Sequence, residues 1–229
     1  MSETVTGAAL IAVPILFNVG FTLLARRFDY PDILRQPTHQ VLTRFRAGGS
    51  SLLLVWLLFA ISAVLFAPLA VLLAGELADA DGTLVALSLV IGVLASVVQF
   101  LGLIRWPFLV PYLAREADGA PPDSARGEAI DVVFQSFNRY LGVAVGECLG
   151  YALTGAWSIL TGVALIQTDA VPSWLGVTAL VIGPLFLLSS AEFLGRFEPA
   201  GWKLAGRLTP IAYIMWSLWL VATGVAFLV

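Results

Sequence analysis

Charge is what this chain has least of. Charged residues occupy 12% of its 229 positions, about half the roughly 25% of a soluble domain. A water-facing globule needs that charge on its surface, so a soluble fold is excluded. Cysteine occurs once, at Cys148, which rules out an internal disulfide and leaves the redox compartment unread. Histidine also occurs once, at His39 in a basic loop, so bis-histidine haem ligation is excluded and a histidine-rich metal site is not expected. No glycine-rich phosphate loop follows a strand, and no serine stands in a nucleophile-elbow context. No cofactor is expected. The basic residues form no stripe of the kind that binds nucleic acid. None of them precedes the first apolar run, and Arg26 and Arg27 follow it, which is the reverse of a secretory signal.

What the chain has instead is apolar length: 59% of residues are hydrophobic. A bilayer core about 30 Å thick needs roughly 20 apolar residues as helix. Six stretches meet that, at about 5–25, 48–74, 83–104, 140–166, 171–191 and 208–229. Each is apolar on every face, as a buried or lipid-facing helix is. The gaps between them alternate. Arg26 to Arg46, Arg105 to Arg139 and Arg196 to Arg207 hold all twelve Lys and Arg residues, whereas Met1 to Thr4, Glu76 to Gly82 and Gln167 to Ala170 hold none. By the positive-inside rule the basic loops are cytoplasmic and both termini lie outside. The expected fold is therefore an all-α membrane protein, one domain over 1–229 with six transmembrane helices. Two short interfacial helices are expected on the cytoplasmic side. One carries Val41, Leu42 and Phe45; the other carries Ile130, Val133, Phe134, Phe137 and Leu141, both at helical spacing. Trp106, Tyr112, Tyr140, Trp174 and Trp202 are placed as an aromatic belt.

The arginines also serve as a ruler. At about 1.5 Å per residue, Asn18 lies about 12 Å inside Arg26 and Glu147 about 12 Å inside Arg139. On the same count Gln99 lies about 9 Å inside Arg105, and Tyr213 about 9 Å inside Arg207. Four helices thus place a polar side chain at one depth in the cytoplasmic half. Glu147 stands out, because an ionisable group in hydrocarbon costs at least about 2.5 kcal/mol and faces a bundle interior or a wet cavity. Helical spacing puts Tyr151 on its side, while Gly142, Gly146 and Gly150 form a separate small-residue stripe suited to close helix packing. Two readings of Glu147 stay open: a ligand-anchoring carboxylate in a cytoplasm-facing cavity, or interhelical glue bonded to Gln99, Asn18 or Tyr213. Arg105 and Arg139 are added as candidate anion partners, against the alternative that such arginines snorkel to the interface. Glu192 and Arg196 are spaced as an i, i+4 pair.

The chain resembles a bacterial membrane family known as domain of unknown function 4386. The resemblance runs through Arg44-Phe45-Arg46-Ala47-Gly48-Gly49, Gln99, Gly102-Leu103, Arg105-Trp106 and Val110-Pro111. It is densest from Phe134-Gln135 through Arg139-Tyr140 and Gly142 to Glu147, then Leu149-Gly150-Tyr151. Glu198-Pro199-Ala200-Gly201 and Trp216-Ser217-Leu218-Trp219 extend it. It implies a six-helix protein of the bacterial cytoplasmic membrane and carries no established activity. The leading expectation is a small binder or transporter of a lipophilic or anionic solute, built on Glu147, Gln99, Asn18, Tyr151, Arg105, Arg139 and Tyr213. A non-enzymatic accessory or scaffold protein that self-associates through the glycine stripe is the second reading, and an intramembrane lipid-modifying enzyme the third. Membrane lipids are the expected partners, and nucleic acid is not.

Overall fold

The computed structural model describes residues 2–229; Met1, part of the expected outward terminus, lies outside the described residues. Among these the fold is all helix, with no strand. The helices are α1 (Ser2–Phe28), α2 (Thr38–Val64), α3 (Phe66–Glu76), α4 (Gly82–Glu116), α5 (Ala125–Phe137), α6 (Gly150–Gln167), α7 (Ser173–Ser189) and α8 (Lys203–Ala226). Asn138–Leu149, between α5 and α6, is a π-helix. Five helical runs are long and apolar enough to cross a membrane: Glu3–Phe28, Thr38–Glu76, Gly82–Glu116, Ala125–Gln167 and Lys203–Ala226. Ser173–Ser189 is apolar but only 17 residues long, about 25 Å of helix against a core of about 30 Å.

Local chemistry explains the interruptions. Gly49 has φ +56° and ψ −155°, a conformation essentially restricted to glycine, and it separates the amphipathic first turns of α2 from its membrane-length part. Val41, Leu42 and Phe45 are buried there. They pack into a core with Phe28, Trp56, Trp106 and Phe134, so this helix lies on protein rather than on headgroups. The break at Leu65 has a different cause. Pro68 has no N–H for the carbonyl of Val64, four residues back, and cannot continue the ladder. Ser96 of α4 repairs the loss, its hydroxyl donating to the carbonyls of Ala63 (2.8 Å) and Val64 (3.1 Å). Asp81 and Ser124 cap α4 and α5 by accepting from the backbone N–H of Leu84 and Gly127. In α5 only Ile130 and Phe134 of the expected apolar face are buried by protein, while Val133 and Phe137 stay exposed.

Packing is between successive neighbours. α1 touches α2 and α3; these touch α4; α4 touches the π-helix and α6; α6 touches α7; α7 touches α8; and α8 returns to α1. The result is a closed ring. Glycines set its seams. A Cβ on Gly7 would lie 2.8 Å from the Gly224 carbonyl, one on Gly155 2.6 Å from that of Gly183, and one on Gly162 2.7 Å from that of Gly176. Without a hydrophobic drive between helices in lipid, such backbone proximity is what dispersion and packing require. Aromatic side chains fill the axis: Phe66 contacts Trp157 and Trp216 edge-on, and Trp157 contacts Trp219. Trp106, placed above in an aromatic belt, is instead fully buried and stacks on Trp56 with centroids 4.2 Å apart. Tyr112, Tyr140 and Trp174 are exposed, and Trp202 stacks on Phe197.

Candidate functional site

The glycine stripe builds the site. In an i→i+5 helix each turn holds more than four residues, so Gly142, Gly146 and Gly150 fall nearly in line. That line is laid against α4. Gly142 meets Arg105, Gly146 meets Gly102 and Gly150 meets Gln99, every fourth residue on one side against every third on the other. A Cβ on Gly102 would come within 2.7 Å of the Gly146 Cα, and one on Gly142 within 2.5 Å of Arg105 Nη2. The stripe is therefore consumed inside one chain and is not a free surface for association with a second copy.

Arg105 occupies the space that Gly142 vacates. It is 8% exposed, so it does not snorkel. One nitrogen donates to the carbonyl of Gly102, Nη2 donates to Asn138 Oδ1 at 2.9 Å, and the guanidinium lies 5.5 Å from the Trp106 ring. No carboxylate is within ion-pair distance of it among the described residues.

Glu147 stands on the π-helix, next to Gly146 of the seam with α4. Its carboxylate is within electrostatic reach of Arg105 on α4, Tyr30 after α1, Tyr151 on α6, Glu192 after α7 and Tyr213 on α8. Glu147 keeps uncovered surface despite the protein around it, and it makes no hydrogen bond among the described residues. Tyr30, Tyr151, Tyr213 and Glu192 are half-buried in the same way.

The rest of the expected layer is already satisfied. Tyr213 donates to Gln99 Oε1 (3.2 Å), Gln99 Nε2 donates to Thr154 (3.0 Å), and Thr154 donates to the Gly150 carbonyl (2.8 Å). Beside this chain remains a space of about 20 Å³ lined by Phe17, Ser62, Phe66, Gln99, Tyr213 and Trp216, room for about one water. Asn18 is not brought to the layer. Its Nδ2 donates to the Pro14 carbonyl (2.7 Å) and to Ser217 Oγ (2.9 Å), and it is exposed on the α1–α8 seam along with Ile15 and Val19. Arg139 is turned away as well, in an ion pair with Glu198. Glu192 is not paired with Arg196. Its Oε1 lies against Gly206, and its backbone carbonyl accepts from Trp202 N at 2.6 Å.

At the basic end a cleft of about 480 Å³ is lined by Ala25, Asp29, Tyr30, Gln36, Gln40 and Arg44 among others. Arg44 and Asp29 are paired at 2.5 Å. Tyr30 lines this cleft and packs edge-on against Trp56. Neither Tyr30 nor Asn138 carried a sequence signal. Tyr30 follows the end of α1 in a turn, and Asn138 reads as one more polar residue on an amphipathic helix.

A family described as Domain of unknown function (DUF4386) matches residues 5–224. Comparison with curated proteins and with solved structures gives no match.

Proposed function

The chain belongs to the DUF4386 family, whose description assigns no activity, and on that premise we propose a polytopic membrane protein that binds a small lipophilic or charged solute around Glu147. In this reading α7 is the sixth crossing, since it packs between α6 and α8 in the ring. The arginine-bearing loops then lie in the cytoplasm and both termini outside.

One observation carries the proposal. Glu147, on the π-helix packed against α4, is half-buried and makes no hydrogen bond among the described residues. Simple interhelical glue would bond it to Gln99 or Tyr213, and those two bond to each other instead. The access route in this reading runs from the basic end past Tyr30. The other end is stoppered by Phe66, Trp157, Trp216 and Trp219. This conformation thus supports binding from the cytoplasmic side; passage would require the aromatic stopper to move. An enzymatic reading draws on the Tyr151 and Tyr213 hydroxyls beside Glu147, and turnover of a membrane lipid by the purified protein would favour it.

The test is Glu147→Gln in lipid nanodiscs, with solute binding followed by calorimetry and unfolding by tryptophan fluorescence. An unchanged unfolding midpoint with altered binding supports the site. Lost stability with no binding by either protein makes the residue structural.

A further inference from the structure

Three fully enclosed donors have no hydrogen-bond partner among the described residues: the indole nitrogens of Trp56, Trp106 and Trp216. An N–H sealed from water without an acceptor carries its whole desolvation penalty. Space separates the three. Trp56 and Trp106 stack on each other with centroids 4.2 Å apart and have Phe28 edge-on to both. They line neither of the two spaces described above. Trp216, only 6% exposed, does line the space of about 20 Å³ beside Gln99. That volume exceeds the roughly 10 to 15 Å³ that one water needs and admits nothing much larger. We propose that it is the site of one ordered water, which accepts from Trp216 Nε1 and donates to Ser62 and Gln99.

The wall supplies what such a water requires. Its oxygen takes a donor and its hydrogens need acceptors. Ser62, 1% exposed, spends its own hydrogen on the Phe59 carbonyl (2.6 Å), which leaves its oxygen free to accept. Gln99 Oε1 accepts from Tyr213 at 3.2 Å and keeps a second lone pair. No carboxylate, lysine or arginine lines the space, so an ion of either sign would stand there uncompensated. A neutral molecule that both accepts and donates suits it. The water extends the Tyr213–Gln99–Thr154 chain to Ser62 of α2 and to Trp216, so that one hydrogen-bonded network crosses α2, α8, α4 and α6. The site is separate from Glu147 and stands whether or not that residue binds a solute.

The test is magnetic resonance of the indole N–H groups, with the full chain carrying isotope-labelled tryptophan in nanodiscs. Trp216→Phe, Trp56→Phe and Trp106→Phe each identify one signal by its loss. The Trp216 proton is expected to show a dipolar cross-peak to water, and the Trp56 and Trp106 protons none. Ser62→Val, which fills the space and removes an acceptor, is expected to abolish that cross-peak while the other indole signals keep their positions. Ala63→Val fills the same space with Ser62 intact and should do likewise. The contrast among the three unmutated indoles holds even where a filling variant fails to fold. A Trp216 proton without water contact, shifted upfield by the ring of Phe66 that packs at 5.3 Å, overturns the proposal. So does a cross-peak of equal strength at all three indoles, or one that survives unchanged in both filling variants.

Discussion

Gly102→Ala is the substitution that most directly tests how the site is assembled. The new Cβ would stand 2.7 Å from the Gly146 Cα and 3.2 Å from the Leu141 carbonyl oxygen. Both are backbone atoms, so no rotamer can relieve the contact. Restoring an ordinary separation of at least about 3.4 Å moves α4 and the π-helix apart by about 0.7 Å. The Arg105–Asn138 bond, 2.9 Å long, would stretch to about 3.6 Å, beyond hydrogen-bond range. Overpacking of this kind costs about 3 kcal/mol at the upper end of its usual range. The lost bond adds about 0.6 to 1.5 kcal/mol. Helix propensity returns about 1 kcal/mol, because Ala is the better helix former. The net loss is about 2.6 to 3.5 kcal/mol. Gly75→Ala is the matched control, since nothing lies within 4 Å of its Cβ, and it should be neutral or slightly stabilising. Unfolding of both variants by denaturing detergent, followed by tryptophan fluorescence, measures the difference. Equal stability of the two variants would refute the close α4–π contact and the placement of Arg105 that follows from it.

Asn18→Ala should cost about 0.6 kcal/mol, the average size of one interhelical bond in a membrane, and should leave solute binding at Glu147 unchanged. A large effect on binding would return Asn18 to the Glu147 layer. Two carboxylates outside the helices should give pH dependences of opposite sign. Arg46, bonded to Asp118, holds the Asp118 carboxyl below its ordinary range. Its contribution to stability is present above the unfolded value and lost as pH falls through the lowered one, so Asp118→Asn should flatten the acid side of the midpoint–pH curve. Burial pushes the Glu192 carboxyl up, with Arg35 opposing. Stability from that group is present below the ordinary value and lost as pH rises through the raised one, so Glu192→Gln should flatten the curve just above the carboxylate range. Slopes of the same sign in the two variants would show that one assignment is wrong.

Much of the fold was legible because it depends on composition along the chain. The apolar runs are local properties, and so is the break at Pro68, whereas the caps Asp81 and Ser124 and the break at Gly49 came only with the structure. The site was legible only in part. Counting inward from the arginines brings Gln99 and Tyr213 to one level, and they do bond. It fails for Asn18, because depth says nothing about which way a side chain turns around its helix. It fails for Arg139, whose partner Glu198 lies 59 positions away in another loop. Trp106 looked like a belt residue, but α4 continues to Glu116, which carries that ring into the protein.

The sequence by itself determined that this chain is built of helices long and apolar enough to cross a membrane. Partitioning is close to a sum over residues, and a sum can be read along a line. Only the tertiary structure decided which polar groups are left over. That depends on the wide turn of the π-helix, which aligns Gly142, Gly146 and Gly150 against α4 and seats Arg105 beside Asn138. Whether a buried group has a partner is a property of pairs of surfaces, and those pairs exist only once the ring has closed.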